Sequence, residues 1–81
     1  MKPAEARRLA GEKSAAELDL AIEHLSEERD PHFPIAGEDH GEMLTNCLLA
    51  KRIRDRVDRG EDAKEAFRTV MGEVRAVVTN E

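Results

Sequence analysis

The residues best suited to chemistry lie together in segment 37–45, which joins a proline-containing stretch to the longest helical pattern. Its first six residues include three acids, one histidine and two glycines. The only cysteine of the chain, Cys47, follows two residues after the segment ends. Carboxylate, imidazole and thiol groups are those that metal binding, acid–base catalysis and thiol chemistry require. This segment is therefore the first place to expect a functional site.

Metal binding needs a spacing that these residues lack. Zinc sites use Cys and His in tetrahedral sets, and iron or manganese sites in helical bundles use Glu-x-x-His pairs on facing helices. The chain has no Glu-x-x-His and no Cys-x-x-Cys sequence, and Glu38, Asp39 and Glu42 do not match the twelve-residue calcium loop. The sequence therefore predicts no metal and no cofactor. The alternative is a metal site in which His40 is a ligand.

Cys47 is surrounded by apolar residues, and that setting favours a structural role. A reactive thiol needs accessible, electropositive surroundings that lower its pKa, whereas free cysteine is among the most buried residue types. The alternative is a thiol at a dimer seam that forms an intermolecular disulfide.

The segment also lacks a nucleophile paired with a base and a glycine-rich phosphate loop, and 81 residues leave little room for a deep pocket. We expect a protein that is not an enzyme.

Composition argues against nucleic-acid and membrane partners. The net charge is −5, the basic run 51–56 contains Asp55, and there is no Trp or Tyr to stack on bases. No run approaches the roughly 18 apolar residues of a membrane span. The polar, acidic start at residues 1–5 predicts no secretion signal, and a free cysteine suits a reducing compartment. A cytoplasmic location is expected.

Helical periodicity and start signals predict the elements that must position these residues. Three pairs of residues have the spacing of a capping box, in which a side chain accepts from the third backbone N–H and a glutamate reaches back. They are Ser14 with Glu17, Asp39 with Glu42, and Asp62 with Glu65. The predicted helices cover about residues 3–12, 15–28, 40–59 and 62–78.

An ordered strap is predicted at residues 29–38, because a residue that precedes proline is pushed out of the helical region and two such residues occur here. Phe33 and Ile35 are expected to attach the strap to the core. Gly60 predicts a short turn that folds the last two helices into an antiparallel hairpin. The last helix has the clearest apolar stripe: Ala63, Ala66, Phe67, Val70, Met71, Val74, Val77 and Val78.

These elements predict one all-α domain over residues 1–81. It is a small helical bundle with two short helices followed by a longer antiparallel helical hairpin. A core with only two aromatic residues, Phe33 and Phe67, is thin for a chain of this length. Since small folds often gain stability by self-association, a homo-oligomer is expected.

The central segment and its flanks resemble a family of small uncharacterised bacterial helical proteins. The matching residues are Gly37, Glu38, Asp39, Gly41, Glu42, Leu44, Thr45, Leu48, Ala50 and Ile53, with Ser14, Glu17, Leu18 and Gly60 outside the segment. The family usually carries glutamate at the position of His40, so a histidine-based function would not be shared. The resemblance implies no established activity. It also implies an association with thioredoxin and peroxiredoxin neighbours, which adds interest to Cys47.

The leading hypothesis is a non-enzymatic interaction or adaptor protein that self-associates through the apolar first half of the third helix, with help from the final helix. The predicted surface is Met43, Leu44, Asn46, Cys47, Leu48, Leu49 and Ala50. Its apolar side chains exceed what one neighbouring hairpin could cover. For Asn46, a buried amide that sets helix register and an exposed amide are both open. The competing hypothesis is a redox or metal accessory protein that uses Cys47 or His40, and a protein partner of another kind is also open.

Overall fold

The computed structural model describes the backbone of residues 2–79 and the side chains of residues 2–74. Within that range the chain forms four helices and no strand, which confirms the predicted all-α class. The helices are α1 (Pro3–Glu12), α2 (Ala15–Ser26), α3 (His40–Asp58) and α4 (Ala63–Thr79). None of these is long and apolar enough to cross a lipid bilayer. The predicted apolar positions Val77 and Val78 lie outside the described side chains.

Helix α2 starts at a reciprocal cap and ends earlier than its sequence pattern predicts. The Ser14 hydroxyl accepts from the Glu17 N–H at 3.2 Å, and the Glu17 carboxylate accepts from the Ser14 N–H at 3.0 Å. At the other end Glu28 has a φ of 59°, the left-handed conformation that commonly ends a helix. The Arg29 N–H then donates to the His24 carbonyl at 2.9 Å. The helix therefore ends at Ser26, two residues before the predicted end.

Helices α3 and α4 each start at an aspartate side chain. The Asp39 carboxylate accepts from the Glu42 N–H at 2.8 Å, and the Asp62 carboxylate accepts from the Glu65 N–H at 3.3 Å. The Glu42 carboxylate accepts from the N–H of Glu38 at 3.5 Å, one residue before the partner that a reciprocal box would use. These caps satisfy backbone donors that the first helical turn leaves without partners.

Helix α3 is the centre of the domain, because α1, α2 and α4 all pack against it. Contacts from residue 2 to residue 46 and from residue 10 to residue 54 show that α1 runs parallel to α3. The turn at Gly60, whose φ is 105°, returns α4 antiparallel to α3. The Cα atoms span 32 × 31 × 17 Å, so the domain is flat. The largest side chains of its apolar core are Leu9, Leu18, Leu25, Ile35, Leu49, Ile53, Val70 and Met71.

Candidate functional site

His40 and Asp39 of segment 37–45 are both engaged at the junction between the strap and α3. His40 is the first residue of α3, and its Nε2 lies 2.9 Å from a carboxylate oxygen of Asp30 in the strap. Asp39 is occupied in capping the same helix. Among the described residues, no three His, Cys, Asp or Glu side chains are grouped so that they could hold a metal ion. The arrangement ties the strap to the helix start.

An open groove lies between α1 and the start of α3, and residues 30–36 of the strap line one side of it. The groove has a volume of about 760 Å³, and Glu5 and Met43 line its other side. Ile35 is buried and Phe33 packs against the core, so the strap is attached as the sequence predicts. The Lys13 ammonium lies 4.6 Å from the centre of the Phe33 ring, a cation–π distance.

A buried carboxylate that sequence reasoning missed holds the strap against α1. Glu5 is only 9% exposed, and its carboxylate accepts from the Arg8 guanidinium at 2.7 and 2.6 Å. It also accepts from the Ala36 N–H at 2.8 Å. The bonds from Arg8 hold the pKa of Glu5 below its usual range, against burial, which acts to raise it. The i, i+3 spacing of Glu5 and Arg8 is visible in the sequence, but the contact with Ala36 is not.

Asn46 is fully buried and connects three parts of the chain. Its Oδ1 accepts from the Lys2 N–H at 2.9 Å, and its Nδ2 donates to the Ala36 carbonyl at 2.9 Å. One amide thus binds the start of α1 and the end of the strap to α3. Of the two interpretations of Asn46, the buried amide is correct, and both of its hydrogen-bond partners belong to its own chain.

Cys47 is also fully buried, and its surroundings oppose thiolate formation. Burial, together with the negative charge of Glu5, raises the pKa of the Cys47 thiol to about 11. Since the thiolate is the nucleophile, the raised pKa and the burial both act against reaction of this thiol at neutral pH. The side chain acts as a small apolar group of the core.

The predicted interaction surface is wrong for four of its seven residues. Asn46, Cys47, Leu49 and Ala50 are buried inside the domain and cannot line a surface. The prediction assumed that one neighbouring hairpin covers the first half of α3, whereas α1 and α2 also pack against α3.

The remaining apolar residues define one uncovered side of α3. Leu48 is 47% exposed, whereas Met43 and Leu44 are half-buried. Lys51 reaches across to α2 and Arg52 reaches across to α4, one turn after Leu48, so Leu48 lies on the strip between those helices.

We call this strip the open face and define it by the residues that share that side of the helix: Gly41, Leu44, Thr45, Leu48, Arg52 and Asp55. The Thr45 hydroxyl donates to the Gly41 carbonyl at 3.0 Å, which leaves the threonine methyl group for contacts. The strip is therefore apolar at its middle and charged at one end.

The basic run of α3 is neutralised by acids rather than presented as a patch. Lys51 lies 3.2 Å from both Asp19 and Asp55. The other pairs are Arg54 with Asp58 at 2.6 Å, Arg52 with Glu73 at 3.0 Å, Arg56 with Glu61 at 3.0 Å and Arg56 with Glu73 at 3.7 Å. A nucleic-acid footprint needs a coherent surplus of positive charge, which these pairs remove.

The fold and this surface define a small all-α protein in which one face of the central helix is uncovered. A model of a family of unknown function, DUF6952, matches residues 1–79, so the chain belongs to that family. The match agrees with the resemblance to a family without an established activity. No curated protein and no solved structure matches the chain.

Proposed function

We propose that this chain is a small, non-enzymatic helical interaction protein that self-associates through the open face of α3. The observation that carries the proposal is Leu48, which is 47% exposed at the middle of the central helix. Half-buried Leu44 and the methyl group of Thr45 extend the apolar surface around it. A single exposed leucine is common on protein surfaces, but these neighbours make a strip that a second helix can cover.

The association that this strip supports is weak. Burying a leucine fully gives about 1.5–3 kcal/mol, and Leu48 has only about half of its surface left to bury. The leucine of a second copy would contribute an equal amount. Since association also costs translational and rotational freedom, we expect a dimer that dissociates on dilution.

Sedimentation equilibrium over a wide range of concentrations tests this proposal. We expect the mass to rise from 9.1 kDa towards twice that value as concentration increases. Leu48→Lys should abolish the rise, because it places a charge at the centre of the contact.

The matched control for that variant is Leu20→Lys. Leu20 is 43% exposed and lies on α2, about 200° around the helix from buried Leu18. This variant should associate like the wild type. A mass of 9.1 kDa at every concentration would refute self-association. Equal loss in both variants would show that the open face is not the surface used.

The competing hypothesis of a redox or metal accessory protein is tested on Cys47 and His40 directly. Cys47 should react with a thiol reagent at least 100-fold faster in denaturant than in the native state, because its pKa of about 11 and its burial both suppress the native reaction. Titration with zinc, followed by His40→Gln, tests the histidine. Fast native labelling, or stoichiometric zinc binding lost in that variant, would favour the competing hypothesis.

A further inference from the structure

The charges of α3 and its flanks are distributed unequally about Leu48. Residues 38–48 contain three acids and no lysine or arginine, whereas residues 49–59 contain five bases and two acids. The two halves therefore carry formal charges of −3 and +3. Leu48 is the ninth of the 19 residues of α3, so the change of sign falls near the midpoint of the helix.

The two charged residues of this stretch that lie farthest from Leu48 are Glu38 and Arg59. Glu38 and Arg59 are exposed, and neither takes part in an ion pair among the described residues. Arg59 is the residue that follows the end of α3 and lies eleven residues after Leu48, whereas Glu38 lies just before the N-cap residue Asp39, ten residues before Leu48. Two charges of opposite sign thus flank α3, at nearly equal sequence separations from the exposed leucine.

We infer that the occupant of the open face is a second copy of this chain, bound with its α3 antiparallel and with Leu48 on the two-fold axis. This inference rests on the self-association proposed above. In such a pair residue 38 of one protomer lies opposite residue 58 of the other, so the Glu38 carboxylate comes near the guanidinium of the partner subunit's Arg59, one residue further along, and the same contact occurs twice by symmetry. A parallel pair would instead bring Glu38 near its own copy and Arg59 near its own copy, and such like-charge contacts are unfavourable.

The spacing of residues along the open face fits the same arrangement. Gly41, Leu48 and Asp55 are seven residues apart, so they lie on one side of the helix. Antiparallel pairing about Leu48 brings Gly41 opposite the partner subunit's Asp55. Gly41 has no side chain, and a Cβ placed on it would meet the Asp39 carboxylate at 3.3 Å. A glycine at this position allows the backbone of a second helix to approach closely.

Disulfide trapping of Leu48→Cys tests the symmetry directly. A residue on a two-fold axis meets its own copy, so this variant should form a covalent dimer under mild oxidation. The wild type provides the background, because its native Cys47 is buried. Arg59→Cys alone should not cross-link, since each of its copies lies far from the axis, whereas a mixture of Arg59→Cys and Glu38→Cys should.

Charge reversal provides the second measurement. Glu38→Arg and Arg59→Glu should each weaken the dimer about tenfold, since two attractive contacts become repulsive, and the double variant should recover near wild-type affinity. Circular dichroism checks that every variant is folded.

The outcomes separate the two proposals. A wild type that stays monomeric refutes self-association itself. A dimer in which Leu48→Cys does not cross-link, or in which Glu38→Arg strengthens binding, refutes the antiparallel arrangement only.

Discussion

The two sides of α3 differ in how their polar groups are satisfied. On the covered side, Asn46 makes hydrogen bonds to α1 and to the strap at 2.9 Å each. On the open face, the neighbouring Thr45 returns its hydroxyl to the carbonyl of its own helix at 3.0 Å. The Asn46 side chain thus joins distant segments, whereas the Thr45 hydroxyl is satisfied within its own helix. The first arrangement specifies the fold, and the second leaves the surface available for contact.

The largest predicted change in the free energy of unfolding comes from comparing Leu49 with Leu48. Leu49 is buried in the core, whereas Leu48 is half-exposed, although they are adjacent and chemically identical. Leu49→Ala should lower the free energy of unfolding by about 2–4 kcal/mol, because it removes buried methyl groups and leaves a cavity. Leu48→Ala should lower it by less than about 1 kcal/mol.

Urea denaturation at low protein concentration, where the chain is monomeric, measures both leucine variants. Equal losses of stability would contradict the assignment of the two sides of the helix.

Removing the Asn46 amide should have the next largest effect. Asn46→Ala leaves the Lys2 N–H and the Ala36 carbonyl without their protein partner, and we expect a loss of about 2 kcal/mol in the free energy of unfolding. Hydrogen exchange should show faster opening of the strap in this variant. Thr45→Ala is the matched control, with an expected change below about 0.5 kcal/mol. A stable Asn46→Ala variant with an unchanged strap would show that the amide does not fix the register.

The helices themselves could be predicted because their signals are local. The hydroxyl of Ser14 and the carboxylate of Glu17 are three residues apart, and the apolar stripe of α4 repeats within one helix. Such features depend on the chain near each residue, so the helical class follows from the sequence.

The contacts of Glu5 and Asn46 could not be predicted in the same way. The bond between Glu5 and Ala36 spans 31 residues, and the bond between Lys2 and Asn46 spans 44. The sequence also shows an α3 that is apolar on nearly all sides of its first half, without indicating how many helices surround it. The distinction between Leu48 and Leu49 depends on that number, which only the packed structure provides.

The smallest predicted effect concerns Glu5, which attaches the strap to α1 on the covered side. Glu5→Gln should lower the free energy of unfolding by about 1–2 kcal/mol at pH 7, because it removes the charge from the bonds that Arg8 donates. Glu12→Gln is the matched control: Glu12 binds the same guanidinium at 3.1 Å but is 56% exposed. The expected loss for Glu12→Gln is a few tenths of a kcal/mol.

The difference in stability between the wild type and Glu5→Gln depends on pH, and the sign of that dependence follows from the pKa of Glu5. Because the folded state holds that pKa below its usual range, the stabilisation is fully present above the ordinary glutamate value and is lost as pH falls through the folded-state pKa. The difference between wild type and Glu5→Gln should therefore be constant from pH 7 to about pH 5 and shrink below about pH 4. Urea denaturation at several pH values measures it. A difference that grew at acid pH would show that burial, rather than Arg8, controls this carboxyl group, and the strap would then be held mainly by Asn46 and Ile35.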